Sequence, residues 1–568
     1  MKALFDTLVV WYARCPYSAF IPIEALPFIG IMALPFISFG LFLLASAVSF
    51  FLRVIGCNHP AFYRYFPRIP WRSFYKIKMA YSRWVDVVFH TKSRSTGGFA
   101  PVLAVMCMLY RPNQIFLGRV WAWDVGLFQP VGTKVSRHIM VYAMTGAGKT
   151  TWLISMLALW RGSAWLIDPK GQVTDALQRC DSKRTWVVLR PYEMDNTDQW
   201  NPFDDIKAAL QRGGVTGLIK WCSHLSESLI VTPQGAKEVF WTNASRQFLT
   251  ALVAHVITYH PEEDHTLGYV RLLICQAYRV EDEDGTVETT NEEAHKLLHK
   301  IMDENKALGE MISNAASAFT SSEGNTFKSL LSTLQEQTQW LDFPSVAFML
   351  SSTTRPLSDA KTRSDVVFSL VLPVLALRQK LKGLARLYTN FTAYTFEEIK
   401  KKKGQCLTII DEVQAQGYNE TLDVALPVAR SYGQTIVAIS QDREGMQAIY
   451  NTSEAFIGNA DLTYWMATSH SSNLTKISEL LGKTTLIETD DETGRKSYRE
   501  VNVMDAEQVG RFLEPDSGNA IITRAGKRPI RIKQDPYYKA LPVSRYDADP
   551  DHKEPLLKRI TRFLINRK

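Results

Sequence analysis

The chain has 568 residues, more than one ordinary domain needs, so about two to four folded units are expected. Hydrophobic residues make up 46% and charged residues 21%, which excludes a largely disordered protein. Lys plus Arg total 65 against 57 Asp plus Glu, and the net charge of +8 permits contact with nucleic acid or membrane without establishing either.

The first element lies between Glu24 and Arg53, where residues 25–52 carry no charge. A helix needs about 20 residues to cross the hydrocarbon core, so this run predicts a transmembrane helix. Pro27 and Pro35 are tolerated in such helices. The run is too long for a cleaved signal peptide, and no small-residue cleavage site follows it. Residues 3–23 are apolar but broken by Asp6 and Arg14, which leaves the number of spans at one or two. Residues 53–94 hold nine Lys and Arg against Asp86 alone. By the positive-inside rule, everything after residue 53 is expected on the cytoplasmic side.

His138–Ala143 (HIMVYA) predicts a strand, MTGAGKTT follows at once, and Trp152–Trp160 predicts a buried helix. A strand, a glycine turn and a helix form the setting in which G-x-G-K-[ST] cradles phosphate. Thr145, Gly146, Ala147, Gly148, Lys149, Thr150 and Thr151 are the candidate nucleotide-binding residues. The glycines let backbone N–H groups converge on phosphate oxygens at the positive end of a helix. Lys149 is expected on the β and γ phosphates of ATP, and Thr150 on Mg2+. The full motif has glycine where this chain has Ala143.

Ala164–Ile167 predicts a second strand, ending in Asp168-Pro169-Lys170-Gly171. Residues 206–340 then lose the α/β alternation, and Trp221–His260 and Phe327–Trp340 show helical spacing, so an all-α insertion is expected. The acidic residues Glu281–Asp284, Glu288, Glu292 and Glu293 predict an exposed, solvated loop. His295 and His299 stand at i,i+4 with charged neighbours and no third ligand, and no metal is expected there.

Cys406–Ile410 (CLTII) predicts a strand running into Asp411 and Glu412. Asp411 is the candidate Mg2+ ligand, through water, and Glu412 the candidate general base for the attacking water. Thr435–Ser440 predicts another strand, ending in Gln441, which is placed to sense the γ phosphate or the water. Residues 555–568 predict a short basic amphipathic helix suited to lipid, a partner or the domain itself. The seven cysteines are odd in number and include no C-x-x-C pair, which excludes a disulfide framework and points to a reducing compartment.

These residues resemble the coupling-protein ATPases of conjugation and type IV secretion, within the wider FtsK/HerA-like motor group. The resemblance rests on the N-terminal apolar segment, TGAGKT, IDPKG (167–171), WNPF (200–203), Phe240-Trp241, IIDE (409–412), ARSYG (429–433), ISQD (439–442), FIGN (456–459) and PIR (529–531). It covers roughly residues 115–540. It implies an α/β, RecA-like P-loop ATPase domain with an inserted all-α domain and an N-terminal transmembrane segment. It also implies a homo-hexamer in the bacterial inner membrane that hands single-stranded DNA with its relaxase, or protein effectors alone, to a secretion channel. Arg430 stands where the family has an arginine that reaches a neighbouring subunit's ATP. A guanidinium there offsets charge on the transferring phosphoryl group. A receptor or scaffold whose ATP site only organises assembly is the reading from another class. The basic tail departs from the family's acidic one, so partner docking at the tail does not carry over.

The expected organisation is an N-terminal segment (1–24), a transmembrane helix (25–52), a basic lead-in (53–135) and a first ATPase part (136–205). An all-α insertion (206–340), a second ATPase part (341–540) and the tail (541–568) follow.

Overall fold

A computed structural model describes residues 97–100, 105, 108–122, 127–134, 138–232, 239–278, 291–320, 324–399, 406–450, 458–489 and 496–547. The expected span at 25–52, the basic flank and the amphipathic segment at 555–568 lie outside these residues. Among the described residues no helix is long and apolar enough to cross a membrane.

The strands are β1 (Ile115–Ala122), β2 (Leu127–Thr133), β3 (His138–Tyr142), β4 (Ser163–Asp168), β5 (Thr185–Leu189), β6 (Val366–Val371), β7 (Cys406–Ile410), β8 (Gln434–Ser440), β9 (Ala460–Trp465), β10 (Lys483–Thr489), β11 (Lys496–Asn502), β12 (Asn519–Arg524) and β13 (Lys527–Lys533). Eleven of them form one sheet in the order β2-β1-β13-β12-β9-β3-β8-β7-β4-β6-β5, and β10 and β11 make a separate hairpin. The run from β9 to β5 is parallel, while β12, β13 and β1 are antiparallel additions.

Strands β3, β4, β7 and β8 are buried at every residue, as a parallel sheet covered on both faces requires. Their side chains alternate between two cores. Met140, Tyr142, Trp165 and Ile167 join the core shared with the insertion, whereas Ile139, Val141, Ala164 and Leu166 join the other. The second core is sealed by α1 (Lys149–Leu159), whose Trp152, Leu153, Ile154, Met156 and Leu157 are all buried. A helix apolar on nearly all sides belongs inside. Helix α2 (Gln172–Leu177) packs beside it, as does Tyr546 from the start of the expected tail.

Between β5 and β6 the described residues carry only helices as regular elements, from Pro202 to Thr362, wider than the 206–340 read from spacing. The principal helices are α3 (Pro202–Leu229), α4 (Val239–Tyr259), α5 (Leu267–Gln276), α6 (Asn291–Glu304), α7 (Met311–Thr320), α8 (Gly324–Thr338), α9 (Pro344–Met349) and α10 (Asp359–Thr362). The WNPF run begins this segment by a physical device. The Asn201 side chain caps α3 by accepting from Phe203 N–H at 3.1 Å and donates to the His265 carbonyl at 2.8 Å. Pro202 occupies the first turn, where its missing N–H costs nothing, and Trp200 is buried against Tyr388 and Phe391. His295 and His299 are core histidines, set edge-on to the Phe327 ring. Glu292 and Glu293 fall in the first turn of α6, where the helix dipole favours acids.

Asp205, in the first turn of α3, is buried and accepts from Trp200 Nε1 at 2.8 Å. Burial pushes its carboxyl up to about 7 despite that hydrogen bond. The folded protein therefore holds this proton more tightly than the unfolded chain. The resulting stabilisation is present at acid pH and is lost as pH rises through about 7. Asp205→Asn is expected to raise the melting temperature by a few degrees at about pH 8 and to leave it nearly unchanged at about pH 4. Melting curves at the two pH values check this, and equal shifts at both would remove Asp205 as the source.

Candidate active site

Because the central strands are parallel and in register, their C-terminal ends meet at one edge. Ile167 pairs with Ile410, Ile410 with Ala438, and Ser440 with Tyr142. The next residues, Asp168, Asp411, Gln441 and the 143–148 loop, therefore converge, as expected for a crevice at the strand ends.

Two glycines shape the loop. Gly146 has φ 82° and Gly148 has φ 84°, a left-handed region costly for other residues. A Cβ at Gly146 would meet nothing within 4 Å, so its surroundings are open, whereas one at Gly148 would lie 2.4 Å from Gln534 Oε1. Ala143 is fully buried and has no positive φ, so the missing glycine is absorbed without strain. Thr145 is exposed and Ala147 is buried. The Thr151 hydroxyl donates to the Gly148 carbonyl at 2.7 Å and braces the turn. Thr150, half-buried in the first turn of α1, keeps its hydroxyl free of protein partners among the described residues.

Lys149 lies across the acids, with Nζ 3.2 Å from Glu412 Oε2 and 3.5 Å from Asp411 Oδ1. Burial opposes its charge, but Asp411 and Glu412 outweigh that and raise its pKa. Burial pushes the Asp411 carboxyl up to about 6, Lys149 pulls against this, and Asp168 and Glu412 add to it. Apart from its ion pair with Lys149, Asp411 Oδ1 is buried without a hydrogen bond among the described residues. A buried carboxylate oxygen left over beside a single ammonium is a place for a further cation, and the free Thr150 hydroxyl adds a second oxygen. Open space at Gly146, a lysine and this oxygen pair fit a Mg2+-bound nucleotide. Asp168 is turned away from it, since its Oδ2 accepts from the Thr174 N–H and hydroxyl, both at 2.9 Å, and burial raises its pKa.

Glu412 has φ 66° and ψ 58°, a conformation uncommon for a glutamate. Three donors hold its side chain. Lys149 reaches Oε2, while Gln441 Nε2 at 3.0 Å and Arg378 Nη2 at 2.9 Å both reach Oε1. Backbone strain held by surrounding bonds is a frequent mark of a working residue. Lys149, Asp411, Glu412 and Gln441 are therefore together. Arg430 is not with them. It is exposed in the 3-10 turn Ala429–Tyr432, which leads into the first residue of β8, whereas the site lies beyond the last. Seven residues of strand separate the two ends, about 23 Å.

Sequence reasoning missed two residues here. Arg378 closes α11 (Val374–Arg378), which begins directly after β6, and Gln534 follows β13. The run Val366–Val371 followed by Leu372-Pro373 was a usable signal for a strand ending at this edge. Nothing local announces Gln534.

Comparison with known proteins bears on this geometry. A probable conjugal transfer protein TraG of Sinorhizobium fredii is 25% identical over 346 residues, 59% of this chain and 50% of that protein. The type IV secretion system-coupling protein VirD4 of Bartonella quintana is 23% identical over 317 residues, 54% of this chain and 46% of that protein. The chain thus matches about half the length of these relatives. Among solved structures, the bacterial conjugative coupling protein TrwBdeltaN70, in complex with sulphate, superposes with a TM-score of 0.58 at 14% identity. It covers 78% of this chain and 94% of that one. The plasmid coupling protein TrwB in complex with ADP and Mg2+ gives 0.57 at 15% identity, with 78% and 94% coverage. These two likenesses establish the RecA-like sheet as the shared fold. The family described as Type IV secretory system Conjugative DNA transfer matches residues 102–562, a span that takes in the whole sheet, its helical insertion and every residue of the site. The chain belongs to that family, the type IV coupling proteins.

Proposed function

We propose that this chain is an ATP-hydrolysing motor that passes single-stranded DNA, with its attached relaxase, to a type IV secretion channel. The observation that carries the reading is Lys149 held between Asp411 and Glu412, with Gln441 on the same glutamate, at the edge of a coupling-protein sheet. Lys149 binds the β and γ phosphates, the loop amides hold their oxygens, and Glu412 takes the proton of the attacking water. Mg2+, held by Thr150 and through water by Asp411, supplies charge neutralisation on the phosphate oxygens. Asp411, paired with Lys149 here, would be the carboxylate that holds this cation through water.

Residues 25–52 anchor the protein in the bacterial inner membrane, and the bulk of the chain is cytoplasmic. Subunits assemble as a homo-hexamer in which Arg430 completes a neighbour's site. Its position at the far end of β8 supports this, because it is out of reach of its own phosphate loop. No base-reading module is present in the sequence, which suits a translocator that grips phosphates.

The likeness to a secretion coupling protein favours a second reading, in which the same ATPase receives protein effectors only. Turnover of ATP by the full-length protein, with and without single-stranded DNA at several salt concentrations, separates the readings. Stimulation by DNA is expected whatever its base sequence. Affinity should fall with salt on a log-log slope of about −0.7 per phosphate neutralised. ATP turnover indifferent to DNA would transfer the assignment to effectors, and absence of turnover would leave an assembly scaffold.

A further inference from the structure

We propose that Arg378 is a positioning residue of the ATPase site, acting in cis on Glu412 Oε1 so that Oε2 is the oxygen left free to receive the proton of water. The inference rests on the hydrolysis reading and deepens it.

The argument starts from how the two oxygens of Glu412 are shared out. Oε1 accepts from two side chains, Arg378 Nη2 at 2.9 Å and Gln441 Nε2 at 3.0 Å. Among the described residues Oε2 accepts from Lys149 Nζ alone, at 3.2 Å. Lys149 is also the phosphate ligand of the loop, so a nucleotide and Glu412 compete for one ammonium. When the ammonium turns to phosphate, Oε2 loses its donor and Oε1 keeps both of its own. The terminal torsion of a glutamate is broad and roughly two-fold, and nothing intrinsic chooses which oxygen faces the substrate. A pair of donors on one oxygen makes that choice.

Charge adds a second reason for an arginine. Glu412 is buried beside Asp411, and phosphates bring further negative charge to the same crevice. Gln441 is neutral and cannot offset that repulsion. A guanidinium can, and its charge does not depend on pH in the working range. Arg378 is also well placed to remain where it is. Its helix α11 is delivered by β6, which pairs with β4 inside the parallel sheet, and Leu377 of the same turn is fully buried. The Arg378 side chain is about half exposed (48%), so it adjusts to its partner without repacking the core.

The test uses the full-length protein in detergent or lipid and compares Arg378→Ala and Arg378→Lys with wild type. Loss of a hydrogen bond to a charged group predicts a fall in kcat of roughly 10- to 100-fold for Arg378→Ala. KM and the affinity for a fluorescent ATP analogue should stay within about twofold of wild type, because Arg378 does not touch the nucleotide. Arg378→Lys should recover part of the loss. In the Glu412→Gln background, Arg378→Ala should cost nothing further, since a residue acting through Glu412 has nothing left to position. A weakened nucleotide affinity with kcat intact would make Arg378 a phosphate ligand and overturn the proposal. So would losses that multiply in the double variant, or an Arg378→Ala enzyme that turns over like wild type. A wild-type protein without ATP turnover would instead remove the hydrolysis reading, and this inference with it.

Discussion

Lys149→Ala is expected to abolish ATP turnover and substrate transfer in a protein that remains folded. Lys149 is the one cation that touches both acids of the site, at 3.2 and 3.5 Å, and the one positioned by the loop to meet phosphate. Removing a preorganised charge aimed at the transferring group costs about 3–4 kcal/mol or more, roughly a thousandfold in rate. The free protein feels the loss as well, because Asp411 and Glu412 are then left without their shared ammonium. Asp411 would bind its proton still more tightly. Lys149→Arg keeps the charge but replaces a compact ammonium by a planar fork, and it should restore the acids' partner without restoring turnover. Steady-state hydrolysis, with circular dichroism as the check on folding, reads these effects. Turnover near wild type in Lys149→Ala would place the chemistry away from this loop.

The second large effect concerns Arg430. Arg430→Ala is expected to bind ATP nearly as well as wild type and to hydrolyse it poorly. Its place at the start of β8, with its own site beyond the end of that strand, leaves a neighbouring subunit as the site it can serve. Glu412→Gln falls to a low residual turnover for the opposite reason, since it lacks the base and keeps the arginine. When Arg430→Ala and Glu412→Gln subunits are mixed, some interfaces pair an intact Glu412 with an intact Arg430, and partial activity should return. Full-length protein in lipid is the proper sample, because the proposed membrane segment would raise local concentration. No recovery in mixtures whose co-assembly is verified by tagged pull-down would make Arg430 a structural residue. Its structural task would then lie at that end of the sheet, where its charge acts on His138, whose ring bridges the Leu426 carbonyl and the Ile436 N–H.

The features legible in the sequence were those written in adjacent residues. The phosphate loop was readable because strand, turn and helix follow one another within 138–160, and each has its own pattern. The acids at 411 and 412 and Gln441 were readable for the same reason, since each ends a short apolar run. The helical insertion was visible as a change of period, but its limits were not. Short helices such as α9 and α10 carry too few residues to show one, so the segment extends to Thr362 rather than 340. The histidines of α6 have charged neighbours in sequence, and their packing against the Phe327 ring of α8 is set by tertiary structure.

By itself the sequence determined which side chains are candidates to hold a nucleotide and which strand ends present them, because those depend on local spacing. Tertiary structure alone decided how they are coupled. Lys149, Arg378, Glu412 and Gln441 come from four strands, and the Lys149–Glu412 contact spans 263 residues of chain. No periodicity encodes such a contact. It exists because parallel strands in register bring their ends to one edge, and β6 enters the sheet between β4 and β5. The same topology sets Arg430 at the opposite edge from its own site. Strand direction, a property of the whole sheet, separates Glu412 at one end of the parallel strands from Arg430 at the other.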